Sequence, residues 1–517
     1  MDGFLKHLPN LQNRLKALRE TMKLIHYLFL AYLLSSSTRS STNADLPVAE
    51  QLSRAQTPEG QYISWQEHII DDAEIGGVEL SGSDGLSVGD LDNDGFPDIV
   101  SVHESDTEYD ETLEGHIRIA FGSADPDQWE LITLAQGAEA AAAEDVAIED
   151  INGDGYADIV AACELAHLIY FQNPATEIRS ARWPRIIPSV TKGRGSFIRV
   201  FAADFNQDGQ PEIVAANKGD QLGSGKKDSE VTEFNAISYF ELNGNPLEDS
   251  AWVETELIRV KIPINSQPVD MDGDGDLDII AGSRGENRII LFENVSDSAI
   301  RFEQHPIRIH RASLPDQEAE TSQTKTPEVS GINMDFWDVN QDGRLDIFLT
   351  ETINDLAISE YIHWLEQPSD WTKEWVLHQV GSVAPDRVIG LAVADINSDG
   401  KQDVITGGYS SGSRREDNQT IDMSLGRIAW FEQPANPNES WIRHDISRRK
   451  RGMFDKFISI DLDKDGDVDF LSTRGNSVPY DGVFWLEQIR TNEPTQAFVR
   501  ARPQDSEEMP LLLVDDN

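Results

Sequence analysis

Cysteine is almost absent. Cys163 is the single one in the chain, so no disulfide can form within it, and packing and bound metal are left to hold the fold. Basic residues are scarce beside acids, 43 Lys and Arg against 92 Asp and Glu, a formal charge of −49. Such a surface repels a phosphate backbone, which excludes nucleic-acid binding as a function class. It also repels itself, and bound cations are one remedy. No apolar run reaches the roughly 20 residues that cross a bilayer. The apolar run 24–34 spans 11 residues, follows Lys6, Arg14, Lys16, Arg19 and Lys23, and leads into small polar residues up to Ala44. That order is a signal peptide over 1–44, with Met22 as an alternative start. The expectation is export to the outside or to an envelope lumen (periplasm or cell surface), with no membrane span after cleavage; an uncleaved anchor is the alternative. Also missing are His-Glu-x-x-His and a phosphate-cradling glycine loop.

What is present is one acidic loop, seven times over: Asp-x-Asp/Asn-x-Asp-Gly-x-x-Asp/Glu. Its first, third, fifth and ninth positions are Asp90, Asp92, Asp94 and Asp98; Asp150, Asn152, Asp154 and Asp158; Asp204, Asn206, Asp208 and Glu212; Asp270, Asp272, Asp274 and Asp278; Asp338, Asn340, Asp342 and Asp346; Asp395, Asn397, Asp399 and Asp403; Asp461, Asp463, Asp465 and Asp469. Successive first residues lie 60, 54, 66, 68, 57 and 66 positions apart, a period that suits a four-stranded unit. Oxygens at those four positions, with the carbonyl at the seventh, suit a hard cation that takes six to eight oxygens. Calcium fits, zinc does not, and up to seven structural ions are expected. The nine-residue loops hold 26 of the 92 acids, a crowd that would repel itself without metal. An EF-hand would need a bidentate Glu at position twelve and flanking helices, but the first loop has Ser101 there and the fourth Ala281. Solvated acidic turns without metal are the bland alternative.

Short β-branched runs follow the loops, such as 99–102 and 213–216, and apolar strands precede them, such as 197–202 and 388–393. A third strand ends on a proline turn in 168–174, 362–368 and 428–434, and a fourth begins at Trp375 and Trp441. The seventh copy lacks a clear fourth strand, while an orphan strand at 65–70 precedes the first loop. The orphan should complete the last unit and close a ring without free edges. The predicted fold is all-β: a seven-bladed β-propeller of four-stranded antiparallel blades over 61–490, after a linker at 45–60 and before an acidic tail at 491–517, flexible or loosely docked. A closed ring predicts a monomer.

These loops and strands resemble the FG-GAP/VCBS-repeat propellers, the group that includes integrin α-subunit heads and a fungal seven-bladed lectin, over roughly residues 60 to 490. A weaker similarity, in the Trp-x-x-His-x-Ile strands and Trp-Leu-Glu-Gln-Pro turns, is to the propeller part of aldos-2-ulose dehydratase. The resemblance implies calcium hairpins on one face and variable loops on the other. Five and six residues past the loops' last acids stand chemically diverse side chains: His103, Glu104, Cys163, Glu164, Asn217, Lys218, Ser283, Arg284, Glu351, Thr352, Gly408, Tyr409, Arg474 and Gly475. Of these, His103, Glu104, Glu164, Asn217, Lys218, Arg284, Glu351, Tyr409 and Arg474 are the candidate ligand-binding residues. Basic residues on the same loops (Lys192, Arg194, Lys226, Lys227, Arg311, Arg414, Arg415 and 448–451) suggest an anionic ligand such as a uronate or sulfated sugar. Tyr109, Tyr409 and Tyr480 are candidates for stacking on sugars. His378 and His444 recur at one strand position and read as scaffold, and Cys163 as buried filler. The expected function is a binding or adhesion module for carbohydrate or for a cell-surface or extracellular protein. The alternative is a sugar lyase or dehydratase using a His or Tyr base and a cation; no catalytic residue can be named from the sequence.

Overall fold

The computed structural model describes residues 46–105, 112–219, 230–296, 299–312, 327–351 and 359–512. The signal-peptide region, Met22, Tyr109, Lys226, Lys227 and Thr352 lie outside them. From Pro47 onward the chain forms one unit of seven antiparallel sheets. Blade one is built from Ser83–Gly89, Asp98–His103, His116–Phe121 and Glu130–Gln136. Blades two, three, four and six repeat that order, each beginning with a strand that runs into its acidic loop. Blade five carries a fifth, parallel strand, Ile309–Arg311, on its outer edge.

Blade seven takes its first three strands from the C-terminal part and its fourth, Tyr62–Asp71, from the N-terminal part. Trp65 stands opposite Gln488 and His68 opposite Trp485, so the orphan strand closes the ring as its unmatched pattern requires. Both faces of that strand are packed: Ile63 and Trp65 lie against blade six, and Ile70, of opposite parity, lies against blade one.

Apolar side chains pack blade against blade. Val100, Ile117, Ile119 and Phe121 of blade one meet Val146, Ile159, Ile169 and Phe171 of blade two, and similar clusters follow around the ring. Near the start of the fourth strands sits a buried Trp whose indole N–H donates to a preceding carbonyl, as Trp252 does to Pro246 (2.9 Å) and Trp441 to Pro437 (3.1 Å). His68, His378 and His444 stack on Trp485, Trp364 and Trp430 at 4.4, 4.1 and 4.3 Å. Each also hydrogen-bonds a third-strand carboxylate, Glu487, Glu366 or Glu432. Recurrence in three blades makes these histidines part of the scaffold.

Both flanks of the ring differ from the sequence reading. In the 45–60 linker, Val48, Ala49 and Ala55 are buried, and Ser53 N–H donates to Thr495 O. The tail, read as flexible or loosely docked, is packed as far as it is described. Phe498–Val499 pairs in parallel with the closing strand, and Asp505, Ser506 and Glu508 are buried against blades six and seven. The tail's acids find basic partners about 30 to 60 residues back in the chain, a pairing that local sequence does not reveal.

Candidate functional site

Each loop folds around its own carboxylates. In the first, Asp90 accepts the N–H groups of Asp94 (3.0 Å) and Gly95 (2.9 Å), while Asp94 accepts that of Phe96 (2.9 Å). The turn needs a left-handed residue at position six, where Gly95 has φ 87° and Gly466 97°. Carboxylate oxygens of Asp90, Asp92 and Asp94 lie within 4.8 Å of one another, as do those of Asp270, Asp272 and Asp278, and of Asp461, Asp463 and Asp465. These are the three loops with Asp rather than Asn at position three. Among the described residues one further such group, Glu293, Glu303 and His305, lies on blade four.

The ninth position has a structural duty besides. Asp98 accepts from Leu91 N–H (2.8 Å) in its own loop and from Gly122 N–H (2.9 Å) at the end of the third strand. Asp346 does the same with Val339 and Gln367, and Asp469 with Leu462 and Gln488. Burial, partly offset by these hydrogen bonds, pushes Asp98 up to about 6 and Asp158, Asp346 and Asp469 up to about 7. Charge on these groups is costly until something positive shares the loop.

Sequence reasoning missed a clamp between blades. The side-chain amide that ends a third strand donates to the position-two carbonyl of a neighbouring blade's loop. Asn173 reaches Leu91 O (2.9 Å), Asn294 Phe205 O (2.8 Å), Gln367 Met271 O (2.8 Å), Gln433 Val339 O (3.0 Å) and Gln488 Ile396 O (3.1 Å). The Gln of each Glu-Gln-Pro turn was the available signal. Gln367→Ala strands a buried carbonyl and is expected to cost about 1–3 kcal/mol, read as a lower midpoint in urea unfolding; an unchanged midpoint would remove the clamp from the account.

The inner strands enclose a cavity of about 530 Å³. Its lining segments, among them 145–148, 199–203 and 455–459, run toward the acidic loops. Its polar wall carries Arg199, Asp145, Asp455, Asn333, Asp335 and Lys456. Arg199 stands 3.6 Å from Asp455, and Asn333 Nδ2 donates to Asp455 (2.9 Å). At the ring's other end Ile198, Ile264, Ile332, Ile389 and Met453 pack together with Tyr409 against them.

The candidate ligand residues sit at that other end, where first and second strands pair as Ser83 with His103 and Ala143 with Cys163. Few present a free surface. His103 is buried between Ser83 (2.7 Å) and Ser101 (3.0 Å), and burial drives its pKa well down. Arg474 is buried in an ion pair with Asp505. Asn217 accepts from Gly219 N–H in its own turn (2.9 Å) and donates to Arg194 O (2.9 Å). Glu351 pairs with Arg311 (2.5 Å) and Arg284 is half-buried. Glu104, Glu164 and Lys218 do come together, with Lys218 bridging Glu164. Cys163 is buried, and burial pushes its thiol up.

Most of the basic mouth expected from sequence is paired, with Lys192 and Arg415 left exposed. Arg448 binds Asp386 at 2.7 and 2.9 Å, Arg451 binds Asp417 at 2.7 Å, and Arg194 pairs with Glu254. Acids gather at this end instead. Burial first, and then neighbouring carboxylates, raise Asp84, Glu104 and Glu144 well above the usual range.

Residues 90–161, 150–215 and 338–406 match the family model of the FG-GAP-like repeat. No curated protein matches. Among solved structures, BBS1N in complex with ARL6DN is similar at 9% identity, with a TM-score of 0.40 when soaked with mercury (86% of this chain, 100% of that one). The lead-soaked form gives 0.41 (83% and 97%). A protein described as a candidate gluconolactonase is similar at 10% identity and TM-score 0.37, over 85% of this chain and 98% of the other.

Proposed function

Taking the chain as a β-propeller of the FG-GAP repeat family, we propose that it is an exported, calcium-stiffened binding module. Its ligand is a carbohydrate or a surface partner held in the central channel. Calcium is the reading the loops support: their donors are all oxygen, they crowd within a few ångströms where position three is Asp, and a hard cation takes six to eight such ligands. Asp90, Asp92 and Asp94, and Asp270, Asp272 and Asp278, would each hold one, with the remaining loops following the same spacing. In this reading calcium is structural, pinning strand to strand at one rim.

The observation that carries the binding role is the channel. Its volume lies within the roughly 300–1,000 Å³ of small-molecule sites, and its wall offers donors (Arg199, Asn333, Lys456) beside acceptors (Asp145, Asp335, Asp455). Vicinal hydroxyls need such a mixture, and Arg199 and Lys456 would take the carboxylate of a uronate. The lyase reading has no observation in its favour, since His103 and His363 are both buried and burial pushes His363 down to about 3.

Proton NMR of the calcium-loaded chain with neutral, uronic and sulfated oligosaccharides tests this. Broadening of one class, lost in Lys456→Ala and after chelation, is the expected result. New vinylic or aldehyde resonances would mean a lyase instead. Sharp lines with every sugar class would end the carbohydrate reading.

A further inference from the structure

Blades one and two each bring two acids to the channel end remote from the loops. Asp84 and Glu144 stand at equivalent places on the first strands, and Glu104 and Glu164 just past the second. The two blades touch closely there: a Cβ on Gly85 would lie 2.5 Å from Glu144 O and 3.0 Å from the Cα of Asp145. All four side chains are buried, with Asp84 at 6% and Glu104 at 4% exposure. Asp84 Oδ1 is enclosed and has no hydrogen-bond partner, although an enclosed carboxylate oxygen is costly to leave bare.

The cations at hand do not balance them. Lys218 is matched to Glu164. Arg199 is 3.5 Å from Glu144 and is shared with Asp145 and Asp455. Arg414 lies near both Asp84 and Glu104 and is shared in turn with Asp481. Acidic groups outnumber cations at one buried place, beside an oxygen that lacks a partner.

We propose that Asp84, Glu104, Glu144 and Glu164 form a cation site for one hard divalent metal ion, separate from the seven loops. An all-carboxylate donor set selects a hard ion over zinc or copper. The four oxygens are not drawn together as tightly as those of the loops, so the proposed ion would bind only with the glutamate side chains turned toward it. This site goes beyond the module reading and does not depend on what the channel binds.

Manganese serves as the probe. Metal content per chain, measured after gel filtration in Mn²⁺, is expected to fall by one ion in the double variant Asp84→Asn, Glu144→Gln, with its melting temperature in EDTA equal to or above that of the unaltered protein. An unchanged count overturns the site. Should the variant fail to fold, crystals of the unaltered chain soaked in Mn²⁺ decide: an anomalous peak within about 2.0–2.6 Å of Asp84 and Glu144 oxygens supports the site. Peaks at the loops with none at the channel end overturn it.

Discussion

Chelating the metal at pH 8 is expected to lower the melting temperature by at least about 10 °C, since each site held at a hundredfold over its Kd contributes about 2.7 kcal/mol and 1 kcal/mol moves a large domain by about 2 °C. The loss should shrink as the pH is lowered, and its sign follows from the ninth-position acids. Without metal, burial holds Asp158, Asp346 and Asp469 near 7 against an ordinary 3.8. A carboxyl raised in the folded state binds more protons folded than unfolded between those two values. These acids therefore stabilise the metal-free ring most at and below about pH 4, and that contribution is lost as the pH rises toward 7. Calcium needs the deprotonated carboxylates, so its contribution grows over the same interval. Melting curves with calcium and with chelator, at pH 6 and pH 8, should diverge more at pH 8. Equal separation at both values would mean that the ninth-position acids do not govern the metal.

The second large effect is expected far from the loops. Arg449 is buried among Glu67 (2.6 Å), Asp505 (3.2 Å) and Glu508 (3.4 Å). It ties the N-terminal closing strand and the C-terminal tail to blade six. Arg449→Ala leaves three carboxylates buried without their shared partner, and breaking such a cluster costs about 3–5 kcal/mol. Denaturant unfolding should show that loss, and a chain stopped after Thr491 should lose at least as much, because Arg474 is then bereft of Asp505 as well. A truncated chain as stable as the full one would make the tail an ornament.

That tail marks where the sequence stops being readable. The seven loops announce themselves because ligand spacing is local, nine residues at a time, and the closing strand because its Trp-Gln-Glu-His-Ile-Ile pattern has no partner nearby. Both rest on short-range periodicity. The Arg449 cluster draws on Glu67 and Asp505, 382 and 56 residues away, and nothing local to any of them indicates the pairing. The same reason hid the clamp, in which Gln367 serves a carbonyl at Met271. The candidate ligand residues show the converse. Diversity at His103, Arg474 and Asn217 was visible, but burial was not, and burial turned these three from surface groups into internal fittings. Glu104, Glu164 and Lys218, three of the candidate ligand residues, lie near one another, whereas their company with Asp84 and Glu144 needed the ring to be closed first.

The central claim, that the acidic loops are calcium sites which hold the ring, is tested most directly by counting ions. Native mass spectrometry of the full chain in increasing calcium should show uptake of about one ion for each loop that the nine-residue spacing defines. The same titration on Asp94→Ala, Asp274→Ala and Asp465→Ala together should fall short by three. An unaltered chain that takes up no more calcium than this triple variant would contradict the account.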